Sequence, residues 1–172
     1  MSNILFISGI DTDAGKTYAT AWLAKRFIAT GQTVVTQKFI QTGNHDFSED
    51  ITRHRELMGI SPLPEDLNHT TAPIIFSYPA SAQLAAELDG KEIDLTIVDK
   101  STEILASRYD NVLIEGAGGL MVPITDDFLT IDYISSRKLP VALVTNSKLG
   151  SKNHTIHSLE ALTSRNITVK YV

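Results

Sequence analysis

Short apolar runs of strand length recur along the chain, at residues 4–7, 33–36, 112–114, 141–144 and 167–172. They are rich in β-branched residues and do not alternate with polar positions. Such continuous runs are typical of strands that are covered on both faces, as in parallel sheets. The pattern therefore predicts five buried strands.

Helical patterns lie between these runs. After Thr17, apolar residues recur at steps of three and four, which predicts one face of a helix that ends at Gly31. Similar spacing predicts helices over residues 94–108 and 153–164, and a shorter helix begins near residue 51. Strands that alternate with helices predict an α/β fold: a mostly parallel sheet with helices on both faces.

The composition narrows the possible classes of function. The length of 172 residues fits a single domain, residues 1–172. Lys and Arg total 15 against 20 Asp and Glu, and a net charge of −5 disfavours a nucleic-acid partner. The absence of cysteine excludes a thiolate nucleophile and a cysteine-based metal site. The N-terminus lacks the features of a signal peptide, and no run approaches the ~18 apolar residues of a membrane span. We therefore expect a cytoplasmic protein without a membrane partner.

The strongest chemical signal is the segment Gly-Ile-Asp-Thr-Asp-Ala-Gly-Lys-Thr at residues 9–17, which follows the first strand and opens the first helix. Backbone N–H groups at such a junction form an anion cradle, and Gly15 allows a close approach to phosphates. Lys16 can reach the β- and γ-phosphates, and Thr17 can bind Mg²⁺. Five residues separate Gly9 from Gly15, against four in the standard pattern. The context still predicts a P-loop NTPase-like domain rather than an ordinary glycine-rich turn.

A carboxylate ends the third strand. Residues 111–119 read Asn-Val-Leu-Ile-Glu-Gly-Ala-Gly-Gly, so the strand delivers Glu115 at its carboxyl end and a glycine-rich turn is expected to follow. In an open parallel sheet, that end faces the ligand crevice. Glu115 is therefore well placed to hold Mg²⁺ beside the phosphate loop. The alternative is a solvated glutamate at a strand end.

Two further residues point to the same edge of the sheet. Lys38 ends the second strand, and a second ammonium group beside Lys16 suits the transfer of anionic groups. Lysines at strand ends are commonly just solvated, so the spacing alone favours a solvated lysine over a site residue. Asp50 opens the helix near residue 51, where it is either an N-cap or a second metal-directed carboxylate.

These segments together resemble the dethiobiotin synthetases. Residues 9–17 are similar to the nucleotide loop of that family, in which the five-residue gap is usual. Residues 37–43, Gln-Lys-Phe-Ile-Gln-Thr-Gly, resemble its lysine segment, and residues 115–119 match its second motif. Residues 148–154 resemble its late, substrate-side motif. The matches follow the order of the family and cover nearly the whole chain.

The resemblance implies a reaction, namely closure of the cyclic urea of dethiobiotin on 7,8-diaminononanoate with CO2 or bicarbonate, ATP and Mg²⁺. One substrate amine forms a carbamate, which attacks the γ-phosphate to give a carbamic–phosphoric anhydride. The second amine then closes the ring and releases phosphate. Catalysis would consist largely of positioning and charge stabilisation.

The resemblance also implies site residues. ATP would be contacted by Asp13, Ala14, Gly15, Lys16, Thr17, Tyr18, Asp50, Glu115, Gly116, Ala117 and Gly118. The ligands of Mg²⁺ would be Thr17, Asp50 and Glu115, and the catalytic residues would be Lys38 and Lys16. Substrate contacts would come from Thr42, Gly150, Ser151 and Asn153. In this family the helix that carries the last three belongs to the neighbouring subunit, so the resemblance implies a homodimer.

The chain departs from the family in several places. Phe39 stands where a proline is usual, and Asp13 where glutamate is frequent. The stretch before Asp50 is short, which leaves Asp46 as the other candidate for the metal-side carboxylate. Family members continue beyond the last strand into a segment that recognises adenine, so we expect this segment to be missing from the chain.

Two other classes of protein share parts of this pattern. P-loop ATPases of the cell-division and partition type are binding modules with the same sheet, but their loop carries an extra lysine where Asp11 stands here. A cobyrinate-type synthetase would need a glutaminase with a cysteine nucleophile, and the chain has no cysteine.

Overall fold

The computed structural model describes residues 2–172, in which five strands alternate with seven helices. In chain order these are β1 Asn3–Gly9, α1 Lys16–Ala29, β2 Val34–Lys38, α2 Glu49–Met58, α3 Pro64–Leu67, α4 Ala82–Leu88, α5 Leu95–Ala106, β3 Asn111–Gly119, α6 Thr130–Ser136, β4 Val141–Val144, α7 Ser151–Ser164 and β5 Val169–Tyr171. All five predicted strands are present. None of the helices in the described part of the chain is both long and apolar enough to cross a membrane.

The strands form one sheet in the order β2-β3-β1-β4-β5, and every neighbouring pair is parallel. β1 lies in the middle, between β3 and β4. The chain moves from β1 to one side of the sheet, and after β3 it continues on the other side. This change of direction opens a crevice at the carboxyl ends of the strands, where open α/β sheets bind ligands.

Side chains alternate between two buried faces, which explains why the strand sequences are continuously apolar. Leu5 and Ile7 of β1 pack towards α1 and α2, in a cluster with Ala21 and Leu113. Phe6 points to the opposite face, into a larger cluster with residues of α4, α5, α6 and α7. Helices therefore cover both faces of the sheet, and the predicted fold class is confirmed.

The glycine-rich turn predicted after Glu115 is wrong, because β3 continues through these glycines to Gly119 and pairs there with Gly9 of β1. A Cβ atom on Gly116 would lie 2.8 Å from Cε1 of Phe6. The glycine therefore serves a close approach between strand and core side chain, rather than a reversal of the chain.

The proline-rich stretch of residues 59–80 runs beside the extension of β2, at the edge of the sheet. The N–H of Gln41 donates to the carbonyl of Ile74 at 2.9 Å, and the N–H of Phe76 donates back to Gln41 at 2.9 Å. The stretch also contains α3, which the sequence pattern does not predict. The short helices α4 and α6 are unpredicted as well, since seven residues give too few turns for a clear period.

Candidate active site

The loop between β1 and α1 follows a tight path at the carboxyl end of the central strand. It passes through two left-handed residues, Asp13 with φ 56° and Gly15 with φ 95°. A Cβ atom on Gly9 would lie 2.8 Å from the carbonyl oxygen of Asp11, so the start of the loop also requires glycine. No side chain among the described residues caps α1, which leaves its first N–H groups for a bound anion.

Lys16 is the first residue of α1, and its side chain folds back over this loop. The residue is buried, and Nζ donates to the carbonyl oxygen of Asp11 at 3.1 Å. Burial lowers the pKa of Lys16, and the nearby ammonium of Lys38 lowers it further, against the opposing effect of Glu115 and Asp50. Lys16 is therefore a buried cation whose charge the protein only partly compensates.

Four side chains meet beside the loop: Thr17, Lys38, Asp50 and Glu115. The Thr17 hydroxyl Oγ1 lies 3.1 Å from Asp50 Oδ1 and 3.1 Å from Glu115 Oε1. Lys38 Nζ lies 2.5 Å from Asp50 Oδ2 and 3.0 Å from Glu115 Oε1. The same ammonium also donates to the carbonyl oxygen of Gly116 at 3.2 Å. Both carboxylates thus converge on one hydroxyl and one ammonium group.

The buried charges of this cluster stabilise each other. Burial alone would raise the pKa of Glu115, but Lys38 and His54 outweigh it and lower that pKa to about 2. Burial likewise opposes the charge of Lys38, yet the two carboxylates raise its pKa above the ordinary value. Glu115 and Lys38 are therefore both charged around neutral pH, although Glu115 is only 1% exposed.

His54 holds the second oxygen of Glu115, a contact that the sequence analysis missed. Its Nε2 lies 2.6 Å from Glu115 Oε2, and its Nδ1 lies 3.0 Å from Thr36 Oγ1. Arg55 donates to the same Thr36 hydroxyl at 2.7 Å and forms a bidentate pair with Asp66. The available signal was the four-residue step from Asp50 to His54, which places both on one face of α2.

The structure also distinguishes between the two interpretations of Asp50. Ser48 is the N-cap of α2, because its side chain accepts a hydrogen bond from the N–H of Ile51. Asp50 lies in the first turn, and its carboxylate reaches Lys38 and Thr17 instead. Asp46, the other candidate, is exposed and does not line the cleft.

The cluster lies in an open cleft of about 470 Å³, lined by Thr12, Asp13, Gly15, Lys16, Thr17, Lys38, Ile40, Gln41, Thr42, Asp50, Glu115, Ala117 and Gly118. Ten of these thirteen residues are among the predicted site residues. Thr12, Ile40 and Gln41 were not predicted, and only their place next to predicted residues in the chain could have suggested them.

Some predicted site residues lie outside the lining of this cleft. Ala14 is buried within the loop, and Gly116 contributes only its carbonyl oxygen to Lys38. The Tyr18 side chain is 66% exposed on α1 and does not line the cleft. Gly150, Ser151 and Asn153 stand at the N-terminus of α7, and none of them lines the cleft either.

The donor set suits a hard cation that is shared with a nucleotide. Mg²⁺ prefers oxygen ligands and is commonly held by one or two carboxylates together with phosphate oxygens and water. Thr17, Asp50 and Glu115 supply one hydroxyl and two carboxylates. Residues 2–172 hold no group of three or more His, Cys, Asp or Glu side chains that could bind a metal. Phosphate oxygens of a bound nucleotide and water would complete the coordination of a divalent cation held there.

Comparison with known proteins assigns the chain to a family. A family model described as an AAA domain matches residues 3–172. ATP-dependent dethiobiotin synthetase BioD 2 of Haemophilus influenzae is 50% identical over 169 residues, which are 98% of this chain and 88% of that protein. The chain belongs to the dethiobiotin synthetase family. The synthetase of the same name from Pasteurella multocida is 46% identical over 172 residues, 100% of this chain and 81% of its own length.

Membership of the synthetase family confirms the resemblance of the motifs. It also leaves the alternative, a partition-type ATPase, with less support. Among solved structures, the kinase domain of the Escherichia coli tyrosine kinase ETK covers 99% of this chain and 66% of its own, with a TM-score of 0.57 and 18% identity. At that identity the likeness concerns the fold alone, and it agrees with the predicted P-loop NTPase-like architecture.

Proposed function

We propose that this chain is an ATP-dependent dethiobiotin synthetase that closes the ureido ring on 7,8-diaminononanoate with CO2 or bicarbonate. The observation that carries the proposal is the convergence of Lys16, Lys38 and the Thr17–Asp50–Glu115 oxygens in one cleft. A phosphate loop alone would serve many nucleotide-binding proteins. The second buried lysine and the paired carboxylates suit a reaction in which two anionic groups meet.

Nucleotide phosphates would lie in the loop of residues 9–17, against the N-terminus of α1 and Lys16. ATP contacts would further involve Asp13, Tyr18, Ala117 and Gly118, as the family motif implies. Thr17, Asp50 and Glu115 would hold Mg²⁺. When bound, that ion would neutralise phosphate charge and orient the γ-phosphate.

The first amine adds to CO2 and loses a proton to give the carbamate, after which two chemical steps remain. A carbamate oxygen of the substrate attacks the γ-phosphorus, the bond to the β-phosphate oxygen breaks and ADP leaves. The second amine then attacks the carbonyl carbon and gives up a proton to solvent, the ring closes and inorganic phosphate leaves with the shared oxygen. Lys16 would stabilise charge on the transferring phosphoryl group, and Lys38 charge on the carbamate, since both ammonium groups line one cleft. Thr42, on the same wall, would contact the carbamate.

The far end of the substrate requires a second region of the protein. Gly150, Ser151 and Asn153 stand at the N-terminus of the fourteen-residue helix α7, which is a favourable place for a carboxylate. These residues do not line the cleft of their own chain. We propose that the α7 helix of a second subunit supplies this contact, so that the active unit is a cytoplasmic homodimer.

Diamine-dependent release of phosphate tests the function. The purified chain is incubated with ATP, Mg²⁺, bicarbonate and 7,8-diaminononanoate, and the product is identified as dethiobiotin by mass spectrometry. We expect phosphate release to require the diamine. ATP turnover that ignores the diamine would contradict the proposal and favour a nucleotide-switch ATPase.

A pair of lysine variants provides the control for this assay. Lys38→Ala should lower diamine-dependent turnover by about 10²–10³-fold, the range found when a group that stabilises transition-state charge is removed. Nucleotide binding should survive, because the loop and Lys16 remain. Lys100→Ala removes an exposed lysine of α5 and should leave turnover unchanged.

A further inference from the structure

The helix α2 contributes two side chains to the cluster. Asp50 reaches Thr17 and Lys38 directly, and His54, one turn later, is completely buried behind Glu115. A buried imidazole needs partners for both ring nitrogens. His54 has them, in Thr36 on one side and Glu115 on the other.

Hydrogen-bond direction places a proton on Nε2 of His54, because the ionised Glu115 carboxylate at 2.6 Å can only accept. Arg55 can only donate, so the Thr36 hydroxyl oxygen accepts its bond of 2.7 Å. Asp66 holds the guanidinium in place through two bonds of 2.8 and 2.9 Å. The proton of the Thr36 hydroxyl remains available for His54 Nδ1 at 3.0 Å, and Nε2 donates to Glu115 Oε2 at 2.6 Å. The chain Asp66–Arg55–Thr36–His54 thus ends in a donor aimed at Glu115.

We propose that His54 is a positioning residue for the cation site: it holds Oε2 of Glu115 so that Oε1 alone faces Thr17 and Lys38. The inference rests on the proposed function, in which Glu115 binds the divalent cation. It deepens that function because it explains how the orientation of the Glu115 carboxylate is fixed in the cleft. Helix α2 would then position both carboxylates of the cation site, since it carries Asp50 itself and holds Glu115 through His54.

The two oxygens of Glu115 have different surroundings. Oε1 lies 3.1 Å from the Thr17 hydroxyl and 3.0 Å from Lys38 Nζ, within the lining of the cleft. Oε2 meets the buried imidazole at 2.6 Å. Without the His54 donor, the carboxylate plane could rotate about the last torsion and move Oε1 away from Thr17 and Lys38. Loss of such a supporting partner typically weakens metal binding by about 10- to 100-fold.

Two amide variants separate this role from a purely structural one. The Nε2 atom of glutamine can occupy the position of His54 Nε2 and still donate to Glu115. The shorter asparagine reaches only the position of Nδ1, beside Thr36. We expect His54→Gln to bind Mn²⁺ within a few-fold of the wild type, and His54→Asn to bind it about 10- to 100-fold more weakly.

The readout is binding of Mn²⁺ in the presence of ADP, followed by the electron paramagnetic resonance signal of the free ion. ADP affinity without metal should stay within about twofold in both variants. Ile51→Val serves as the matched control, because it trims a buried residue of the same helix without touching the carboxylates. It should bind Mn²⁺ like the wild type.

The outcomes distinguish the inference from the function on which it rests. Asparagine and glutamine variants with equal Mn²⁺ affinity, both folded, would overturn the role of His54 alone. A wild-type protein that holds no Mn²⁺ with ADP would overturn the metal assignment and this inference together. The ¹⁵N signals of His54 in the wild type give a test that needs no variant. A protonated Nε2 with a bare Nδ1 supports the donor chain, and the opposite tautomer contradicts it.

Discussion

Lys16, at the end of the phosphate loop, and Lys38, at the end of β2, are both buried ammonium groups in one cleft. They differ in the number of negatively charged partners that surround them. Lys38 has two carboxylates within 3.0 Å and donates to a carbonyl oxygen as well. Lys16 has one carbonyl oxygen as its partner at 3.1 Å. The pKa of Lys38 is accordingly raised, whereas burial and the neighbouring Lys38 lower the pKa of Lys16.

The difference separates two tasks that a buried cation can perform. Lys38 is part of a compensated cluster, so its charge helps to hold the buried Glu115 and the partly exposed Asp50 in place. The charge of Lys16 is only partly compensated by the protein, and an incoming phosphate would complete the compensation. We therefore expect the stability of the fold to depend mainly on Lys38. Binding of the phosphate groups is expected to depend mainly on Lys16.

The largest expected effect is on stability at Lys38. Lys38→Met leaves the buried Glu115 and the neighbouring Asp50 without their ammonium partner. Breaking a buried ion pair on one side costs about 3–5 kcal/mol. We expect the free energy of unfolding to fall by that amount in urea denaturation at pH 7. A loss below about 1 kcal/mol would show that Lys38 contributes no more than an exposed pair does.

Lys16→Met should lower turnover strongly and stability only slightly. Its free energy of unfolding should stay within about 1 kcal/mol of the wild type, because a poorly compensated buried charge is replaced by an apolar chain of similar length. Diamine-dependent turnover should fall by about 10²–10³-fold. Steady-state kinetics and urea denaturation of the same preparation check both statements. A large loss of stability would remove the contrast with Lys38.

A smaller effect concerns the loss of free energy of unfolding at acidic pH. The pKa of Glu115 is about 2 in the folded protein, against 4.5 as its ordinary value. A lowered carboxyl pKa contributes stability that is fully present above pH 4.5 and is lost as the pH falls towards 2. At about 1.4 kcal/mol per pKa unit, this contribution is on the order of 3 kcal/mol.

Urea denaturation between pH 6 and pH 3 in the presence of a chelator measures how the free energy of unfolding falls with pH. This fall should be smaller in Glu115→Gln than in the wild type. It should be unchanged in Lys16→Met, which keeps Glu115 and Lys38. Equal slopes for Glu115→Gln and the wild type would mean that other carboxyl groups cause the acid sensitivity.

Much of the fold could be predicted because the strands are covered on both faces. Their uninterrupted apolar runs identified all five strands, and the glycine, lysine and threonine of residues 15–17 fixed the phosphate loop. Glu115 followed from its place at a strand end, whereas Lys38 and Asp50 were singled out by their position but assigned to the site only through the resemblance to the family. Helices α3, α4 and α6 were missed, because four to seven residues carry little periodic signal.

The rest of the site depends on contacts between distant parts of the chain. Glycines after Glu115 suggested a turn, but whether they reverse the chain or extend a strand depends on the partner strand β1. The contact between His54 and Glu115 joins residues 61 positions apart. This contact forms only if α2 packs against the sheet at the position along the strands that brings His54 next to Glu115. Local patterns carry the spacing of Asp50 and His54, but not the identity of the group that they meet.

The alignment of β2 with β3 places Lys38 directly opposite Glu115. Since side chains alternate along a strand, a slip of one residue would turn the Glu115 carboxylate to the other face of the sheet. That face holds Phe6 and Phe39 and offers an apolar environment to a charged group. The ion pair thus penalises the two nearest wrong alignments of the strands, so the residues proposed to bind the carbamate and Mg²⁺ also favour the correct register of β2 and β3.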